Sequence, residues 1–271
     1  MKFENVKNKI KRPPSVHNLV RLINLNDELK TTKNVVNFAL SIPSFNYASG
    51  TKMCVERVSI GLDLATALKA VERSGAPAGR AYNADFITAF FNYDEERRYS
   101  ASQVFESYHG QYRISRDINV PTSPTFTIIE NKEQVPVVLC GWKDLMLDKS
   151  QIQMWMTMLE SGLFSYGDYR HSPGEVAIFP EQGTSETSDR QPLIINRGDY
   201  ALFSEPDMRE IAAMYARAQE AAMPIAEQRW NHREQARKQR DKDRGGYDSP
   251  SGQSPTNFDQ KDLFAKDDDD E

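Results

Sequence analysis

The sequence has few cysteines, no long apolar run and no export signal that we can recognise. Its 271 residues include two cysteines, Cys54 and Cys140, which lie far apart in apolar surroundings. We interpret both as small buried side chains in a reducing compartment. No apolar stretch of roughly 18 residues occurs, and the first residues lack the apolar core of a secretory signal. These absences predict a cytoplasmic protein with no membrane partner.

Recognised catalytic signatures are missing too. The sequence contains no phosphate-binding loop, no dinucleotide-binding glycine motif, no serine-hydrolase elbow, no paired-cysteine motif and no zinc-protease motif. The four histidines, His17, His109, His171 and His232, are scattered singly. We predict that each is a surface or packing residue rather than a metal ligand. The sequence therefore predicts no metal and no cofactor, and it favours a protein that is not an enzyme.

The negative charge is concentrated at the C-terminal end. The formal net charge is −5, and residues 241–271 hold ten acidic and four basic residues, so the rest of the chain is close to neutral. A neutral body argues against a broad nucleic-acid-binding surface, although it leaves room for a local basic patch.

The clearest fold signal lies in residues 117–180. Two short apolar runs at 124–129 and 135–140 flank a four-residue polar turn, which predicts a β-hairpin whose faces are both covered. Pro136 cannot donate a ladder hydrogen bond, so the second strand should begin at an edge or a bulge. A further apolar run follows at 175–179.

A helix should connect the hairpin to that last run. Asp148 and Gln151 have the spacing of a capping box, and an apolar stripe then continues at helical spacing toward Gly162. The segment predicts an α/β (α+β) fold: a small mixed sheet with a hairpin at about 124–140, flanked by helices.

The N-terminal half is predicted to be mostly helical. Helices are expected at about 16–29, 58–73, after Gly79 and at about 100–108, whereas residues 35–42 fit either a strand or a helix. Beyond the sheet segment, a second hairpin is expected at 193–203, followed by a helix from Ser204 that Pro224 interrupts. For domain organisation we expect four parts: a basic flexible arm at 1–14, a single α/β body at 15–225, a charged helix at 226–244 and a disordered acidic tail at 245–271.

The hairpin, helix and strand of residues 117–180 resemble the core of the restriction-endonuclease-like nucleases, which are named for a Pro-Asp, Asp/Glu-x-Lys motif. The resemblance implies that Lys143, after Gly141 and Trp142, would occupy the motif lysine position. Gly141 then stands where the family has an acidic residue, and the other acidic position falls near Pro124 and Thr125. Both metal-binding carboxylates are missing, so the resemblance implies a catalytically degenerate core.

Two further segments are candidate binding regions. Residues 93–116 interleave tyrosines and arginines, the composition of a single-stranded nucleic-acid surface, and the candidates are Arg97, Arg98, Tyr99, Tyr108, Tyr112, Arg113 and Arg116. Acidic neighbours cancel their charge, so a core-facing helix with a mixed-charge exterior is the alternative. The C-terminal segment is similar to the tails of single-stranded-DNA-binding proteins, which recruit protein partners; its candidates are Leu263, Phe264, Asp267, Asp268, Asp269, Asp270 and Glu271.

These observations predict a non-catalytic binding or adaptor protein that acts through macromolecular contacts, with a protein partner recruited by the acidic tail. The alternative is a nucleic-acid-binding protein with a degenerate nuclease-like core. An active metal-dependent nuclease is the second alternative, and it would require carboxylates close to Lys143.

Overall fold

A computed structural model describes residues 2–74, 76–103, 110–145, 147–165, 167–182 and 189–244. The helices are α1 (Phe3–Lys11), α2 (Val16–Leu22), α3 (Glu28–Leu40), α4 (Ala48–Ile60), α5 (Leu64–Arg73), α6 (Arg80–Glu96), α7 (Lys149–Gly162) and α8 (Glu205–Arg244), with a 3-10 turn at Pro77–Gly79. The strands are β1 (Ala101–Gln103), β2 (Gln111–Arg113), β3 (Asn119–Pro121), β4 (Phe126–Glu130), β5 (Glu133–Cys140), β6 (Glu175–Ile178), β7 (Glu181–Gln182), β8 (Asp189–Arg190) and β9 (Leu193–Asn196). The α/β fold class is confirmed. None of the described helices combines the length and the apolar character needed to cross a lipid bilayer.

The chain forms two compact units, where the sequence predicted a single body over residues 15–225. The first unit comprises Met1–Pro13, Leu22–Pro43 and the described part of Glu210–Glu271, and the second comprises Pro14–Arg21 and Ser44–Arg209. The first unit joins α1, near the start of the chain, with the part of α8 from Glu210 onward. Local periodicity gives no sign of such a pairing between distant helices.

The second unit is built on a five-stranded mixed sheet with the order β1-β4-β5-β6-β9. The predicted hairpin is confirmed: β4 and β5 are antiparallel and are joined by Asn131 and Lys132, both with positive φ. β5 and β6 are parallel and are connected through α7, whereas the other pairs in this sheet are antiparallel. The ladder between β5 and β6 begins at Val137, so Pro136 lies just outside it and its missing N–H breaks no bond to β6.

Helices pack on this sheet as the apolar patterns predicted. Phe86, Ile87, Phe90 and Phe91 of α6 are buried, and Phe90 packs edge-on against Phe126 of β4 with 6.1 Å between ring centroids. The predicted capping box of α7 is present, and the helix is buried along most of its length. The apolar pattern of α6 and the capping box of α7 therefore predicted both helices correctly.

Three local predictions for the second unit differ from the structure. The helix expected at 58–73 is two helices, because Gly61 ends α4 in the left-handed conformation and Asp63 caps α5 by accepting from the Thr66 amide. The helix expected from Ser100 begins instead as β1, which pairs with β4. The second hairpin is not formed: β9 pairs with β6, and residues 200–203 are not a strand.

In the first unit, the basic arm expected at residues 1–14 is largely the helix α1. Val6 and Ile10 are fully buried on one side of it, at a helical spacing that the surrounding lysines obscured. Of the undecided residues 35–42, Val35–Leu40 belong to α3, and residues 41–42 follow its end. The charged helix expected at 226–244 is the continuation of the single helix α8, which runs through Pro224 without a break. The predicted tail at 245–271 lies outside the described residues.

Candidate functional site

The Tyr/Arg segment at residues 93–116, a candidate for nucleic-acid binding, makes internal contacts through several of its side chains. Arg97 binds Glu130 through two atoms, with Nε 2.5 Å from Oε1 and Nη2 2.8 Å from Oε2, and its Nη1 binds Glu175 and the Tyr93 hydroxyl. Burial lowers the pKa of Arg97, but the bonds to both carboxylates outweigh it and raise the pKa above the usual value. Arg97 is therefore a structural ion-pair centre.

The other candidates of this segment have separate surroundings. Tyr99 donates to Asp94 over 3.1 Å, and burial together with Asp94 raises the pKa of Tyr99 to about 12. Arg98 and Arg116 are exposed, and Arg113 donates from Nε to the Ser115 carbonyl. Tyr112 is half-buried in β2. Tyr108 lies outside the described residues, as do the tail candidates Leu263, Phe264, Asp267, Asp268, Asp269, Asp270 and Glu271.

Lys143, the candidate for the nuclease-like lysine, is paired with one carboxylate. Its Nζ lies 3.0 Å from Glu181 Oε2, and this bond raises the pKa of Lys143. In the part of the chain that the structure describes, no three His, Cys, Asp or Glu side chains converge to hold a metal ion. The metal-binding arrangement that hydrolysis of a nucleic acid would use is thus not visible around Lys143.

Lys143 nevertheless lies in a distinctive place, the carboxyl ends of the parallel strands β5 and β6. In open α/β sheets this is the edge where ligands usually bind. The side chains gathered there are Phe45, Tyr47, Tyr82, Lys143 and Arg190, which we call the carboxyl-edge cluster.

The aromatic members of the cluster form a partly exposed platform. Phe45 and Tyr82 stack with ring centroids 4.8 Å apart and planes 3° from parallel, and Tyr47 meets Phe45 edge-on. Lys143 Nζ lies 5.4 Å from the centre of the Tyr82 ring. All three aromatic side chains are only partly buried, so the cluster combines flat apolar faces with a cation.

Arg190 holds this edge together from inside. It is 4% exposed, and its Nη1 donates to the carbonyls of Gly141 and Phe179, which directly follow β5 and β6. Its Nη2 donates to the Tyr47 hydroxyl over 3.2 Å. Burial raises the pKa of Tyr47 despite the opposing effect of Arg190, so Tyr47 stays neutral at physiological pH.

Two helices begin beside the cluster and are tied to each other by Asn83. The Asn83 side chain accepts from the Gly50 amide and donates to the carbonyls of Asn46 and Gly79. Tyr47 and Gly79 are the residues that precede α4 and α6, so the positive ends of both helix dipoles lie at this edge. The site therefore combines aromatic rings, the Lys143–Glu181 ion pair, the Arg190 guanidinium and the N-terminal ends of two helices.

Sequence reasoning identified Lys143 but missed the other members of the cluster. Phe45 and Tyr47 precede α4, Tyr82 lies in the first turn of α6, and Arg190 lies in β8. No spacing rule connects these segments. The glycines give a weak signal: a Cβ at Gly141 would lie 2.9 Å from Phe86 and 3.0 Å from Tyr47, so this position must remain small.

Comparisons with protein-family models, with curated protein sequences and with solved structures find no match. The resemblance of residues 117–180 to a nuclease core therefore stays a prediction. Function has to be argued from the chemistry of the carboxyl-edge cluster.

Proposed function

We propose that the protein is a non-catalytic binding protein that acts through macromolecular contacts, and that single-stranded nucleic acid binds at the carboxyl-edge cluster. The observation that carries the proposal is the partly exposed Phe45 and Tyr82 stack with Lys143 above Tyr82. Aromatic faces accept bases of any sequence, and each stacked base contributes about 1–3 kcal/mol. A lysine beside them suits the phosphate that links two bases.

Charge pairing in the second unit supports a binding role over a catalytic one. Glu130 and Glu175 are held by Arg97, Glu181 is held by Lys143, and Glu160 is held by Arg197. A general base or metal ligand needs a carboxylate that is free to meet a proton or a metal ion. Each of these four carboxylates already accepts from a cation.

The test is fluorescence anisotropy with a labelled single-stranded oligonucleotide at low salt. We expect binding that weakens steeply as salt is added. Tyr82→Leu should weaken binding at every salt concentration, because the Phe45–Tyr82 ring stack is lost. Lys143→Ala should reduce the slope of log affinity against log salt by about 1, because one phosphate contact is lost.

Two matched control variants test whether the loss of binding is specific to the carboxyl-edge cluster. Tyr200→Leu replaces a partly buried tyrosine outside the cluster, and Lys149→Ala replaces the exposed first residue of α7. Neither control should change binding. If the oligonucleotide does not bind at low salt, or if the controls weaken binding as much as the cluster variants do, the proposal fails. Cleavage of the oligonucleotide with Mg²⁺, lost in Lys143→Ala, would replace it with the active-nuclease hypothesis.

A protein partner recruited by the acidic tail is the second candidate, favoured by the sequence pattern of Leu263 and Phe264 followed by five acidic residues at 267–271. We expect a chain ending at Arg244 to lose that partner in a pull-down but to keep its oligonucleotide affinity. Unchanged partners after truncation would remove this candidate and leave the first one intact.

A further inference from the structure

Arginines of the second unit bind their anions in a common way. Arg97 presents Nε and Nη2 to Glu130, and Arg197 presents the same two atoms to Glu160. Arg57 likewise directs Nε to Asp94. This edge of the guanidinium matches the two oxygens of a carboxylate or a phosphate and gives the strongest geometry available to arginine.

Arg190 does not follow this pattern, although it is the most deeply buried of these arginines, with 4% of its surface exposed. Its Nη1 donates to two backbone carbonyls, and its Nη2 donates to the Tyr47 hydroxyl over 3.2 Å. Among the described residues its Nε has no hydrogen-bond partner. The Arg190 Nε therefore has no acceptor in the described part of the chain, whereas the same atom of Arg97 and of Arg197 binds a carboxylate.

The burial of the Arg190 guanidinium is costly for the protein. A buried cation without an anion is unfavourable, because carbonyl and phenol oxygens replace only part of its lost hydration. The nearby Glu181 carboxylate is already paired with Lys143. Arg80, the first residue of α6, also has a buried Nε without a partner among the described residues. The starts of α4 and α6 add further positive potential.

We propose that the Nε and Nη2 edge of Arg190 is a binding site for a phosphate group. This inference rests on the proposed function only for the origin of the phosphate, which the backbone of a single-stranded nucleic acid would supply beside the aromatic platform. Inorganic phosphate and a mononucleotide carry the same group. They test the site separately from the polymer.

Entry of the phosphate requires a local opening, because Nε is shielded from solvent. Arg190 belongs to β8, which pairs with β7 over two residue pairs only, Glu181 with Arg190 and Gln182 with Asp189. So short a ladder opens at much lower free energy than the five-stranded sheet. Access therefore needs no change in the core of the unit.

The direct test observes the arginine Nε–H signals of the whole chain by nitrogen-15 NMR. Arg190 is assigned from the signal that Arg190→Lys removes, and inorganic phosphate is titrated against chloride at equal ionic strength. We expect the Arg190 signal to shift and saturate, while those of Arg97 and Arg197 stay in place because their edges are filled. An unmoved Arg190 signal, or equal shifts in all arginines, overturns the proposal.

Affinity measurements provide the second arm. Arg190→Lys should weaken binding of phosphate and of a mononucleotide at least about tenfold, as expected for loss of a charged hydrogen bond. Arg73→Lys, which changes an exposed arginine at the end of α5, should have no effect. If Arg190→Lys does not fold, the signal is assigned by nuclear Overhauser contacts to the Tyr47 ring, and the titration of the unaltered protein decides.

The two proposals fail in different ways. If phosphate shifts Arg190 but the oligonucleotide does not bind, the phosphate site stands and the nucleic-acid function falls. If the oligonucleotide binds equally well to Arg190→Lys and phosphate leaves Arg190 unmoved, the function stands and the phosphate site falls.

Discussion

Arg97, which follows the last residue of α6, and Glu130, the last residue of β4, form a two-point ion pair with Nε 2.5 Å from Oε1 and Nη2 2.8 Å from Oε2. The same guanidinium also binds Glu175 at the start of β6. Arg97 and Glu175 are largely buried, with 12% and 7% of their side chains exposed. One cation thus connects a helix with two strands of the sheet.

Arg97→Ala should destabilise the protein strongly. It leaves Glu130 and Glu175 without their cation, and removing one partner of a buried ion pair costs about 3–5 kcal/mol. Urea unfolding followed by circular dichroism measures the loss. Arg98→Ala changes the exposed neighbour and should stay within about 0.5 kcal/mol of the unaltered protein. A stable Arg97→Ala protein that had lost only nucleic-acid binding would contradict the structural role of Arg97.

His17 should make stability depend on pH between about 4 and 6.5. Burial, and secondarily the charge of Arg21, lower the pKa of His17 to about 4, while the unfolded chain keeps the ordinary value. Above pH 6.5 His17 is neutral in both the folded and the unfolded state, so its full contribution to the free energy of unfolding is present. As the pH falls toward 4 the unfolded state alone takes up the proton, so up to about 3 kcal/mol is lost.

The measurement compares the free energy of unfolding of the unaltered protein and His17→Gln across this range. Their difference should shrink as the pH falls from 7 to 4, because only the unaltered protein carries the linked proton. The control is His171→Gln, which replaces an exposed histidine. A difference that stays constant with pH in His17→Gln would show that the folded protein does not hold His17, which is partly exposed, in its neutral form.

The parts of the fold that could be predicted are those whose cause is local. The Asp148 cap is three residues from its partner Gln151, and the β4–β5 turn contains its own two left-handed residues. The buried aromatic side chains of α6 repeat at helical spacing. Within such windows the hydrogen-bond partners and the apolar stripe are visible in the sequence itself.

The candidate site could not be predicted because its members meet only through the sheet. Arg190 and Tyr47 are 143 residues apart, and Arg97 and Glu175 are 78 apart. Which strand ends lie together depends on the strand order, which no local pattern gives. For the same reason Arg97 looked like a surface arginine: its carboxylates come from β4 and β6.

Gly141→Ala should damage the carboxyl-edge cluster. The new methyl group would lie 2.9 Å from two ring atoms of Phe86 and 3.0 Å from Tyr47 Cγ, so both rings must shift. Such overpacking costs about 1–3 kcal/mol. Displacement of the Tyr47 ring should also weaken binding of the oligonucleotide. Urea unfolding and anisotropy check the two effects.

Gly167→Ala is the matched control, since no described atom lies within 4 Å of a Cβ there. Its stability should stay within about 0.5 kcal/mol of the unaltered protein and its affinity should not change. If Gly141→Ala unfolds at the same urea concentration as the unaltered protein, the Phe86 and Tyr47 rings leave enough space for a methyl group at residue 141.

Pro224→Ala should stabilise α8, in contrast to the changes above. Pro224 lies in the interior of this 40-residue helix and is exposed, so its side chain adds no core packing. A proline there removes one backbone hydrogen bond and crowds the preceding turn, at a cost of about 3 kcal/mol relative to alanine. Hydrogen exchange of the α8 amides, read by mass spectrometry, should slow on both sides of residue 224.

The control for this prediction is the other proline of the same helix. Pro206 is the second residue of α8, where a backbone N–H has no acceptor within the helix. Pro206→Ala should therefore leave exchange in the body of α8 unchanged or slightly faster. Equal slowing in both variants would mean that alanine acts through helix propensity alone. Slowing confined to Pro224→Ala would show that the missing hydrogen bond at residue 224 limits the stability of α8.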